Sequence, residues 1–174
     1  EPAIAEPETV LQHGLPSESC ATAQTIASLP FSSGFNNATF SPDGPGGACD
    51  PLAPPTMQND AWFVWTATQD GDVLMDATFV GYPGIVQVWT GTACNALSNV
   101  LCARASGAIP TTVLSALGGQ TYWFQIGKQG FGPGGGDTDF ALTALADNAI
   151  CSRAIELQPF EVALGDTRLG SRSP

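Results

Sequence analysis

The chain has 174 residues, of which 43% are hydrophobic and only 12% charged, with 20 Gly and 14 Pro. That length allows one domain of about 130 residues with two short arms, and the turn-rich, charge-poor composition points to β structure rather than helix. A net charge of −11 argues against nucleic acid and anionic membrane as partners, because both demand a basic face.

Residues 1–16 mix Pro with small and acidic side chains and read as an extended arm. The one histidine, His13, stands in that arm with no scaffold around it, so nucleophilic catalysis, which needs a base held beside a nucleophile, is not expected. Ser17 or Ser19 caps a short helical turn reaching about Gln24. Strands follow at 26–29 and 31–40, interrupted by Pro30 and Gly34, and Asn37-Ala38-Thr39 forms an N-glycosylation sequon. Residues 41–60 hold too many Pro and Gly for regular structure and predict a long loop pinned by Cys49.

The run AWFVWTAT at 61–68 predicts the central strand. Alternation puts Trp62 and Val64 on one face and Phe63 and Trp65 on the other, so both faces are apolar and both are covered. QDGD at 69–72 predicts a hairpin turn into a strand at 73–79. Asp70 and Asp72 are then turn residues rather than an acid–base pair with Asp76. Further strands are predicted at 85–90, 100–105, 111–117 and 121–127, with turns at Gly91, Gly107 and Gly118-Gly119. Trp89, Tyr82 and Trp123 are candidate sugar-stacking aromatics, although each stands in an alternating run and is expected to fill the core. GFGPGGGD at 130–137 lacks the Lys-Ser/Thr pair of a phosphate loop and reads as a flexible connection. Within and after it, Asp137 and Asp139, with Asp60 or Asp43, are candidate loop ligands for calcium, the one metal considered, although no cofactor is expected. A last strand is predicted at 140–145. About nine short strands at this spacing predict an all-β, two-sheet antiparallel sandwich of jelly-roll type.

The end of the chain begins the domain again. SESCATAQTIASLPF at 17–31 reappears as DNAICSRAIELQPF at 147–160, each with a Cys, an Ala three residues on, and an apolar run closing in Pro-Phe. The expected organisation is an arm at 1–16, a sandwich at 17–146, and the start of a second repeat at 147–174. Its run FEVALGDTRL at 160–169 reads as a strand, with Phe160, Val162, Leu164 and Leu169 as the assembly residues. The body to residue 146 carries 12 acids and two bases, whereas the tail carries four acids and three arginines, so the tail is suited to dock on an acidic neighbour.

The order C-x-x-A, NDAWFVWTA, DG-x5-A, VQVWTGTAC, GGQTYWFQIG and DFALTAL, across residues 17–146, resembles the bacterial pre-peptidase C-terminal (PPC-like) β-sandwich family. The resemblance implies a jelly-roll-like module of the kind found, often in tandem, on secreted enzymes and cell-surface proteins. Trp65 and Trp89 depart from the Tyr or Phe expected there.

Five cysteines with no C-x-x-C spacing predict an oxidising compartment, extracellular or at the cell surface. Glu1 reads as the start of a mature chain, and no apolar run is long enough to predict a membrane span. Cys94 and Cys102 flank one short loop and are the expected pair. Cys20 and Cys49 would tie the entry turn to the long loop, leaving Cys151 free or bonded to another chain. Two functions compete. One is a non-catalytic structural module that self-associates, as oligomer or filament, by adding its carboxyl-terminal strand to a neighbouring copy. The other is an accessory module for carbohydrate or cell-surface targets.

Overall fold

The computed structural model describes residues 12–45, 57–109, 111–130 and 134–145. Nine strands run through them: β1 (Gln12–His13), β2 (Gln24–Ile26), β3 (Phe31–Asn36), β4 (Gln58–Thr66), β5 (Gly71–Gly91), β6 (Leu97–Ala108), β7 (Thr112–Ala116), β8 (Thr121–Lys128) and β9 (Asp137–Ala144). The expected all-β sandwich is what the chain builds. The helical turn at its start is three residues of 3-10 helix, Cys20–Thr22. It is held by the Ser17 hydroxyl, which accepts the Ser19 amide at 3.1 Å and pairs with Thr22 Oγ1 at 2.6 Å. It stops short of Gln24 because Gln24 already belongs to β2.

The two layers share β5. Its first half, Val73 to Phe79, lies between β9 and β7, and its second half, Gly84 to Thr90, lies between β8 and β6. One layer therefore reads β1-β3-β9-β5-β7 and the other β2-β4-β8-β5-β6. The sequence predicts two separate strands where this single 21-residue strand runs. Gly81, at φ 80°, takes the sharp bend between the layers at a conformation that costs a side-chain-bearing residue about 1 kcal/mol or more. Gly84 completes the bend, since a Cβ there would sit 2.1 Å from the Phe79 ring.

A second expectation fails in the same region. The turn at 69–72 does not close a hairpin, because β4 pairs with β2 and β8 and has no ladder with β5. The turn carries the chain across the core instead. Turn chemistry reverses the chain but leaves open which strand comes to lie alongside. Residues 12–26 close the opposite side. β1 runs parallel to β3, Ser17 bridges Trp62, and β2 runs parallel to β4, so this segment passes from the margin of one layer to the margin of the other. Residues 12 and 13, expected in the arm, are part of the sheet.

The core between the layers is aromatic. Phe31 and Phe140 from one layer meet Phe63 and Phe124 from the other, with ring centroids 5.3 to 5.5 Å apart for the Phe31–Phe63, Phe63–Phe140 and Phe124–Phe140 pairs. All four are buried, and each contributes roughly 2–3 kcal/mol of burial. The β4 alternation holds: Phe63 and Trp65 face this core, while Trp62 faces outward. There Trp62 is covered by a second cluster with Cys20 and Trp89, flanked by Ala23, Cys94, Leu97 and Trp123.

Candidate functional site

The layer margins are the first feature that bears on assembly. Among the described residues β6 is paired only by β5, and its twelve residues carry one charge, Arg104. A bulge at Val100, whose side chain is 49% exposed, interrupts its pairing between Leu101 and Asn99. Bulges blunt strand edges, but Leu101 to Ser106 stay in register with β5. The margin of the other layer is thinner still. Six residues of β3 pair with β9, whereas among the described residues two residues of β1 lie outside β3.

The second feature is a polar network on the outer face of the layer holding β4. Asp60 is fully buried. Its Oδ2 accepts Gln125 Nε2 at 2.7 Å and Trp62 Nε1 at 3.2 Å, and its Oδ1 accepts the Asp43 amide at 3.2 Å. Trp89 Nε1 donates to Gln125 Oε1 at 3.2 Å. The Asp43 carboxylate in turn accepts the Cys20 amide at 3.1 Å. This ties the strap at residues 41–45 to the entry turn, and Ser41 donates its amide to Glu18 at 2.8 Å. Gly44 lies so close that a Cβ would stand 2.3 Å from both Trp62 and Gln125. Burial pushes the Asp60 pKa from 3.8 up to about 6; the Gln125 hydrogen bond opposes the rise and the Asp43 charge adds to it.

Beside Gln125, its cross-strand partner Gln87 is also fully buried, and neither of its amide atoms has a hydrogen-bond partner among the described residues. Sequence reasoning missed both glutamines. The available signal was one Gln interrupting each of two apolar runs, IVQVWT and YWFQIG.

The expected sites fare unevenly. Cys20 bonds to Cys94, with Cα atoms 6.0 Å apart, which overturns the Cys94–Cys102 and Cys20–Cys49 pairing. Cys94 and Cys102 are near in sequence, but the chain between them enters extended β6, where five residues span about 17 Å. Cys102 is disulfide-bonded as well. Cys49 and Cys151 lie outside the described residues.

The calcium trio does not assemble. Asp137 and Asp139 stand on β9, not in a loop, both exposed, and Asp137 accepts Asn36 Nδ2 at 2.7 Å. Asp60 is engaged in the buried network on the other layer. Among the described residues no three His, Cys, Asp or Glu side chains converge on a metal position.

Trp89 and Tyr82 are buried, and Trp123 is half-buried with its Nε1 on the Gly91 carbonyl, so they form no exposed aromatic platform. Asp70 and Asp72 bond away from their own turn rather than within it: Asp70 accepts the Gly118 amide at 2.7 Å and Asp72 accepts Ser115 Oγ at 2.7 Å. A cavity of about 300 Å³ opens at that end, lined in part by Ser28, Trp65, Thr68, Gln69, Asp70 and Asp72. Asn37 of the sequon is fully buried; its Nδ2 donates to the Asn59 carbonyl at 2.7 Å and its Oδ1 accepts the Gly136 amide at 2.9 Å. The arm residues Phe160, Val162, Leu164 and Leu169, with Cys151, lie outside the described residues.

No protein-family model matches the chain, and no curated protein matches it. Among solved structures, it superposes on the Yersinia pseudotuberculosis-derived mitogen with a TM-score of 0.40 and 8% identity, over 75% of this chain and 99% of that one. A likeness of that degree carries no argument about function.

Proposed function

We propose that the chain is a non-catalytic, extracellular structural module, similar to PPC-like sandwiches, that self-associates when its carboxyl-terminal arm adds as a strand to a neighbouring copy. The observation that carries this is the margin of the β3 layer, where, among the described residues, a six-residue strand is covered by two residues of β1. An open margin supplies a row of backbone donors and acceptors, and an incoming strand supplies the complementary row. The run at 160–169 alternates Phe160, Val162 and Leu164 against Glu161, Ala163 and Gly165, and the three arginines of the tail at 147–174 suit an acidic acceptor. A head-to-tail contact of this kind propagates unless its rotation closes. Sedimentation of the full chain against a chain lacking residues 159–174 tests it. The full chain is expected to exceed its 17.9 kDa mass with rising concentration and the shortened one to remain single. Equal masses would remove the proposal.

A second reading, an accessory module for carbohydrate or cell-surface targets, has the cavity beside Trp65, Asp70 and Asp72 in its favour, since convergent polar groups against an aromatic wall are what small-ligand sites present. Glycan binding that survives removal of residues 159–174 would favour it.

A further inference from the structure

The repeat at the end of the chain has a structural counterpart, and it says where an incoming arm fits. Matching the two Pro-Phe pairs places Phe160 on Phe31, Val162 on Ser33 and Leu164 on Phe35. In β3 those three positions point into the core and are buried, whereas Ser32, Gly34 and Asn36 face outward. We propose that the arm is a second copy of β3, and that residues 160–165 of one molecule take the place of Phe31–Asn36 beside β9 of another. This rests on the assembly reading above and specifies the acceptor as the β3 position, reached by exchange rather than by addition at an outer margin.

Three observations carry it. First, β3 is poorly suited to its own position. The Ser33 side chain is buried, the residue being 4% exposed, and its hydroxyl has no hydrogen-bond partner among the described residues, a cost that a buried hydroxyl bears in full. The arm brings Val162 there, which has nothing to satisfy and favours the extended backbone. Gly34, a weak strand residue, is matched by Ala163. A Cβ at that position meets only Asp139 Oδ1 at 3.0 Å, the free end of an exposed side chain that gives way. Leu164 is smaller than Phe35 and returns part of the gain, because Phe35 packs on Phe63 at 6.0 Å.

Second, β3 is reachable. Among the described residues it pairs with six residues of β9 on one side and with two residues of β1 on the other, so exchange proceeds inward from the β1 margin. Third, the arm holds three of the chain's five basic residues, and the acceptor presents Asp137 and Asp139 along β9 and Asp76 on the neighbouring half of β5. Released β3 is in turn free, and each copy both gives and receives, so the contact is heterologous and extends.

The test uses the full chain at a dilution where it is single, mixed with a synthetic peptide of residues 157–170, and followed by hydrogen exchange. Seating at the β3 position is expected to expose amides 31–36 to exchange at least about tenfold faster while amides 137–144 remain protected. Ser33→Val in the full chain, which repairs β3, is expected to weaken peptide binding about tenfold, and Val162→Ser in the peptide to weaken it by a similar factor without touching the folded chain. Protection gained at amides 31–36, or along Leu97–Ala108 with β3 unchanged, would overturn the exchange but leave assembly by strand addition standing. A peptide that does not bind, together with a full chain that remains single at every concentration, would overturn both.

Discussion

Asp60 stages a direct contest between desolvation and hydrogen bonding, and Asp60→Asn decides it. In the wild-type protein the carboxyl is fully buried yet accepts three N–H groups, from Trp62, Gln125 and Asp43. Desolvation is the larger effect and raises its pKa from 3.8 to about 6. Because the folded value lies above the unfolded one, the fold binds this proton more tightly. The stability that results is complete below pH ~4 and is lost as pH rises through about 6. A rise of about two units at 1.36 kcal/mol each makes the loss about 3 kcal/mol between pH 4 and pH 7. Asparagine has the same shape and no charge. Its oxygen keeps Trp62 and Gln125 if its amide faces Asp43, and the lost Asp43 bond costs about 1 kcal/mol.

The variant is therefore expected to be slightly less stable than wild type at pH 4 and more stable by about 2 kcal/mol at pH 7, a gain on the order of 8 °C in melting temperature for a domain of this size. Urea unfolding of both proteins at half-unit steps from pH 4 to pH 7 measures the difference, and titrating groups that do not interact with Asp60 cancel in the comparison. A difference that stays flat, or a wild type that gains on the variant as pH rises, would show that three hydrogen bonds outweigh burial and would refute the reasoning.

Other perturbations read other parts of the structure. Replacing both Cys20 and Cys94 by Ser opens a link across 74 residues, and chain entropy sets the expected loss at about 4 kcal/mol; unchanged unfolding in urea under non-reducing conditions would contradict that bond. Gly84→Ala forces the Phe79 ring out of the β5 bend and is expected to cost about 3 kcal/mol by overpacking, against little effect at Gly71, where a Cβ meets nothing within 4 Å. Folded protein secreted from a glycosylating host is expected to carry no glycan on Asn37, whose amide is sealed against Asn59; a glycopeptide containing Asn37 in the folded fraction would refute that burial.

Legibility in the sequence followed the range of the interaction concerned. The period-two alternation of Trp62, Phe63, Val64 and Trp65 and the sandwich class were readable because each depends on neighbours along the chain, where side-chain direction alternates by geometry alone. The arm's likeness to residues 17–31 was visible for the same reason. Tertiary structure alone decided that residues 73–79 and 85–90 are one bent strand, that β4 and β5 lie in different ladders, and that Cys20 reaches Cys94 rather than Cys49. It also buried Asp60, Gln87 and Asn37, three polar side chains that local composition assigns to the surface. Their environments are set by strands 20 to 100 residues away, as Gln125 and Gly136 are, and a local pattern carries no record of which distant strand will close over it.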